Sequence, residues 1–167
     1  MRGVRGLLYI AEWWLRLPWP PPWRRWWLRR FGAQIGRGAR VHRCHLINLD
    51  ASGFGALRIG QEAHVGPESL LDLADTLSIG DRATLSPRVV VLTHADPGES
   101  RARERFPRRT GPVVIGADAW IGASATILLG VHVGEGAVVG AASLVRDDVP
   151  AMAVVAGIPA RPLPATS

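Results

Sequence analysis

From residue 115 onward an aliphatic side chain returns at every sixth position. Cut there, the chain reads IGADAW, IGASAT, ILLGVH, VGEGAV, VGAASL, VRDDVP. Ile115, Ile121, Ile127, Val133, Val139 and Val145 open the blocks, and the fifth place is Ala, Val or Ser throughout. Such a period is not that of an amphipathic helix, but it contains the period of two that a strand requires. The same cut recurs upstream at Ile79 (IGDRAT) and Leu85 (LSPRVV) leading to Val91, and at Ile35 (IGRGAR) and Val41 (VHRCHL). IGQEAH at Ile59 and VGPESL at Val65 lead to Leu71, two residues out of phase with the later set, so a slip falls in "LLDLAD".

Six-residue units with a branched apolar residue, a small residue four places on and a corner that tolerates glycine predict a three-sided parallel β-helix. Each unit supplies one short flat strand, and three units close a coil of about eighteen residues with the aliphatics stacked inside. Branched residues suit the strands, and alanine or serine fits the cramped corner. The spacing says nothing of the coil's hand. The pattern divides the chain into an extension, residues 1–30, and a repeat domain, residues 31–163, with a loop inserted at residues 95–114.

Composition narrows the picture. A chain of 167 residues is enough for one domain with a core, and 19 Gly and 13 Pro beside only three Phe and one Tyr favour short strands over a helical bundle. Cys44, the single cysteine, cannot form an internal disulfide; it reads as a small buried hydrophobe, in agreement with a reducing cytosol. A net charge of +6 suits an anionic partner. Six tryptophans alternate with arginines and prolines in "EWWLRLPWPPPWRRWWLRR". This segment reads either as a peripheral membrane contact or as a partly helical cap whose indoles bury against the domain or a neighbouring subunit. Nothing in the sequence predicts a spanning helix or a signal peptide, since prolines interrupt the segment and no long apolar run exists.

One histidine stands apart. In "VVVLTHADPG" a buried-type strand runs into His94 at the brink of a charged loop, "ADPGESRARERFPRRTGP", which breaks the period and carries Arg101, Arg103, Arg105, Arg108 and Arg109. Loops that interrupt a solenoid lie over its binding face, which predicts a lid. A histidine held on a rigid strand beside it is suited to take a proton at neutral pH. Asp96 could orient the ring, although "ADPG" is also ordinary turn chemistry. His42, His45, His64 and His132 lie within the repeats and read as structural.

"PVVIGADAWIGASATILLGVHVGEGAVVGAASLVRDDVPAMAVVAGIPAR" closely resembles the carboxyl half of the hexapeptide-repeat O-acetyltransferases, in particular the maltose, galactoside and colanic-acid branch. "VVVLTHADPG" with the loop to Gly111 resembles that branch's catalytic segment, and "LRRFGAQIGRGARVH" its first coil. The resemblance implies an all-β fold, a left-handed parallel β-helix, assembled as a homotrimer with sites between subunits. It implies acetyl transfer from acetyl-CoA to the hydroxyl of a sugar or glycoconjugate, without a metal, in polysaccharide biosynthesis in the cytoplasm or at the inner membrane face. It implies His94 as general base. Trp120, Ala123, Ala141, Arg146, Asp147 and Arg161 match the family's coenzyme site, and Asp72 and Asp75 fall where relatives meet the acceptor. This chain departs from the family in carrying Arg146-Asp147 where Thr-Lys is common, and Pro164 in place of a downstream base.

Three other readings are weaker. Gamma-type carbonic anhydrases share the helix but need a histidine pair in the loop and a third from an earlier coil, and only His94 is near. A non-catalytic scaffold would have no need of the Thr-His-loop-Trp constellation. Nucleic acid is disfavoured, because the basic residues form no recognised binding motif.

Overall fold

Each hexad forms a strand of two or three residues and then turns a corner. The computed structural model describes residues 10, 12–14, 17 and 19–164. The strands stack into three parallel sheets, one per side of a prism. The first face is built from Gln34–Ile35, Leu57–Ile59, Leu77–Ile79, Val113–Ile115 and His132–Val133. The second holds Arg40–Val41, His64–Val65, Thr84–Leu85, Trp120–Ile121, Val138–Val139 and Val154–Gly157, and the third His45–Ile47, Leu70–Asp72, Val90–Val91, Thr126–Ile127 and Leu144–Val145. Successive strands of the chain visit successive faces, so every neighbour within a sheet comes from an adjacent coil.

The register carries the hexad positions into columns. Ile35, Ile59, Ile79, Ile115 and Val133 pair in sequence down the first face. Val41, Val65, Leu85, Ile121, Val139 and Val155 do so on the second, and Leu46, Leu71, Val91, Ile127 and Val145 on the third. All are buried and form one continuous core. Glycines following these residues leave room for the next coil: a Cβ on Gly122 would stand 2.5 Å from the Ala141 amide nitrogen, and one on Gly80 equally close to that of Ala117.

The first coil of the stack is covered by a helix. The helix Pro21–Arg30 packs on strands Gln34–Ile35 and Arg40–Val41, seating Leu28 in the core. Trp27, Phe31 and Phe54 continue the contact as a row of rings 5.0 and 5.6 Å apart. At the other end Val154–Gly157 folds back antiparallel with Ala160–Pro162. Cys44 is buried, and burial pushes its thiol up to about 12. A thiol so hard to ionise is not a nucleophile at neutral pH.

Candidate active site

The insertions into the repeat all fall on one edge of the prism. From the first face to the second, the inward residues are six apart in each of the first five coils. From the third face to the next first face the spacing is 13 (Leu46 to Ile59), 8 (Leu71 to Ile79), 24 (Val91 to Ile115) and only then 6 (Ile127 to Val133). The two-residue slip, the short helix Leu49–Ser52 and the long excursion are therefore three bulges stacked along the same edge. At the root of each stands one polar residue: Asn48, Asp72 and His94.

These three side chains meet. Asp72 is 0 % exposed, and its carboxylate is held from every side. Oδ1 accepts from Asn48 Nδ2 at 2.7 Å and from the Ala74 amide at 3.1 Å. Oδ2 accepts from the amides of Thr93 (2.8 Å) and His94 (3.0 Å) and lies 2.5 Å from His94 Nδ1. Burial pushes the Asp72 pKa up, but the hydrogen bonds from His94, Asn48 and the Thr93 and Ala74 amides outweigh it and hold the carboxyl below its ordinary value. Ionised, it can only accept, so the proton between it and the ring belongs on Nδ1 and the lone pair on Nε2. Asn48 Nδ2 also lies 3.4 Å from Nδ1, but both atoms are then donors, and its hydrogen bond goes to Asp72. The His94 side chain remains 23 % exposed. Thr93, fully buried, closes the corner: its hydroxyl donates to the Asp72 carbonyl at 3.1 Å and accepts from the Asp75 amide at 3.0 Å.

Asp72, expected beside the acceptor, has both oxygens occupied by neighbours and shielded from solvent, and it faces the imidazole. Asp75 lies beside it, half-buried, with Oδ1 accepting from the Thr76 amide. Asp96 makes the turn contact, accepting from the Gly98 amide at 2.8 Å. Asn48 escaped the sequence reading because it lies where the hexad period lapses between Val41 and Ile59. The signal that could have found it is the lapse itself, which recurs at the same place in three consecutive coils.

The remaining predicted residues fall into two groups. Arg146, Asp147 and Arg161 come together, with both guanidinium groups 3.4 Å from Asp147 Oδ2, around a small cavity of about 100 Å3. Arg146 also lines an open cleft of about 600 Å3 with Ala95, Arg105, Phe106, Arg109 and Leu128. That cleft begins one residue from His94 and is walled by the excursion, whose base strands His94–Ala95 and Arg109–Thr110 pair antiparallel. Trp120 lies elsewhere, exposed on the second face, its Nε1 donating to Ser86 Oγ at 3.1 Å. Ala123 and Ala141 occupy the edge between second and third faces, where the Ala123 carbonyl already accepts from the Ala142 amide. Among the described residues no three His, Cys, Asp or Glu side chains gather as a metal-ligand set.

Comparison with known proteins gives a consistent result. A family model described as the hexapeptide repeat of succinyl-transferase matches residues 112–145. WcaF of Escherichia coli (strain K12), which carries an assignment as a colanic acid biosynthesis acetyltransferase, is 30% identical over 169 residues, covering 95% of this chain and 89% of its own. The galactoside O-acetyltransferase of the same organism is 35% identical over 86 residues, 52% of this chain and 42% of its own. Among solved structures, a hexapeptide-repeat acetyltransferase of Vibrio cholerae superposes with a TM-score of 0.83 at 25% identity, over 98% of this chain and 90% of that one. The same protein complexed with acetyl-coenzyme A matches with a TM-score of 0.73 at 24% identity, over 98% and 87% of the two chains.

Proposed function

Since the chain belongs to the hexapeptide-repeat acetyltransferases, we propose that it moves the acetyl group of acetyl-coenzyme A onto a hydroxyl of a sugar or glycoconjugate, with His94 as general base. The coil is then left-handed and the working unit a trimer, as the repeat family implies. The observation that carries the chemistry is the contact of His94 Nδ1 with the buried Asp72 carboxylate. It leaves Nε2 as the atom able to take a proton. The acceptor hydroxyl gives its proton to Nε2 as its oxygen attacks the thioester carbonyl carbon. The tetrahedral intermediate collapses with cleavage of the carbon–sulfur bond, and the departing thiolate recovers the proton from the imidazolium. Asp72 stays ionised throughout, fixing the ring and stabilising its cationic form.

The open cleft between excursion and coil lies within reach of the same corner. Arg146 and Arg161 offer guanidinium groups suited to coenzyme phosphates, and Trp120, Ala123 and Ala141 would flank the pantetheine of a coenzyme shared with the neighbouring subunit. The galactoside-acting relative supports a sugar acceptor. Thiol release from acetyl-coenzyme A over a panel of glycans, compared between wild type and His94→Ala, tests the reading. The variant is expected to keep its fold and to lose about 10²- to 10⁴-fold in turnover; equal rates would reject the base.

A further inference from the structure

We propose that the tryptophan surface of residues 13–27 docks on an anionic lipid bilayer. Six indoles run together at the end of the prism, five of them facing away from it. Trp13 and Trp14 are 6.0 Å apart, Trp14 and Trp19 6.4 Å, and Trp19 and Trp23 6.2 Å, the last two pairs stacked, while Trp26 and Trp27 join from the helix. Trp14, Trp19, Trp23, Trp26 and Trp27 line an apolar cleft of about 250 Å3. Trp23 and Trp26 are 64% and 59% exposed on a helix that buries Leu28 on its other side. Contiguous indoles left in water mark an interaction surface.

Charge selects the occupant. Residues 1–30 contain seven arginines and one glutamate, and the rest of the chain thirteen arginines and thirteen acidic residues. The whole net charge of +6 therefore belongs to the segment that carries the indoles. A second copy of this chain would bring the same positive segment or a neutral coil, neither of which complements it. An anionic bilayer complements both properties at once, since indoles partition to the head-group level and arginines pair with lipid phosphates. Arg30 lies one turn beyond Trp26 on the same side of the helix and is exposed. Among the described residues no helix is long and apolar enough to cross a membrane, so contact is with the surface.

Flotation of the full-length protein with phosphatidylcholine vesicles, and with vesicles containing about one-third phosphatidylglycerol, tests the proposal. Binding to the anionic vesicles, weakened by salt and accompanied by a blue shift of tryptophan emission, is expected. Trp23→Ser/Trp26→Ser should lower the partition about tenfold or more with an unchanged melting temperature. Arg25→Gln/Arg30→Gln should remove about tenfold of the preference for anionic vesicles. No flotation with either vesicle would overturn it. So would a double tryptophan variant that floats like wild type, or one that instead lowers the sedimenting mass, which would assign the surface to another copy of the chain.

Discussion

A carboxylate withdrawn from water costs several kcal/mol unless each oxygen is paired. Asp72 meets that condition with donors from four other residues, Asn48, Ala74, Thr93 and His94. Asp72→Asn keeps the volume but offers an NH2 group where one oxygen accepted. It should destabilise the fold by about 2–4 kcal/mol and lower turnover by about 10²-fold or more, because the ring loses the partner that keeps the proton on Nδ1. The pH dependence has a definite sign. With its folded pKa depressed, Asp72 contributes stability above the ordinary carboxylate range and loses it as pH falls through the folded value. The stability gap between wild type and Asp72→Asn, measured by denaturant titration, should therefore be constant at neutral pH and shrink below about pH 4. A gap that widens in acid would contradict the assignment. Asn48→Ala is milder: Asp72 keeps its other donors, so a loss of about 1–2 kcal/mol is expected with partial activity.

At the scale of the repeat, two kinds of corner residue act in opposite directions. Gly122 touches the next coil so closely that Gly122→Ala must push Ala141 and Gly140 aside; a loss of about 2–3 kcal/mol by thermal or chemical melting is expected. Ala142 instead has φ 56°, in the left-handed region that a Cβ disfavours. Ala142→Gly should thus stabilise by about 0.5–1 kcal/mol, the relieved strain exceeding the added freedom of the unfolded chain. The inward columns were legible because a hexad register is local and repeated: all the aliphatics read from the period, from Ile35 to Val145, face the core. Of the cluster Asn48, Asp72 and His94, the sequence offered His94 as a candidate base and Asp72 as a candidate acceptor contact, without their pairing, and gave no sign of Asn48. His94 stands at a visible break, whereas Asp72 acquires its role through amides 21 and 22 positions away, and no local pattern encodes a contact between coils. For the same reason Asn48, with no hexad around it, gave no sign of its partner in the next coil.

Across the whole molecule, a parallel stack presents unpaired strand edges at its first and last coils, which invite other chains to add on. Here the helix Pro21–Arg30 packs on the first coil, and the hairpin of Val154–Gly157 with Ala160–Pro162 extends the second face beyond its last hexad strand. The N-terminal segment thus has two sides with different tasks: Leu28 and Trp27 face the prism, and the remaining indoles face away. Removing residues 1–30 would uncover the edge of Gln34–Ile35 and Arg40–Val41, and the truncated protein is expected to aggregate or to melt lower, whatever its affinity for lipid. The excursion behaves differently. Residues 99–110 are exposed and tied to the body through the two-residue pairing at its base, while Val113 returns to pair with Leu77 directly. Replacing residues 97–107 by a short glycine-containing turn should therefore leave the melting temperature within a few degrees of wild type. The same change removes the wall formed by Arg105 and Phe106 of the cleft beside His94, so acetyl transfer should fall sharply, through KM if the loop only holds a ligand and through kcat if it also orders the reacting groups. Unchanged kinetics in a stably folded variant would show that the excursion is not part of the site.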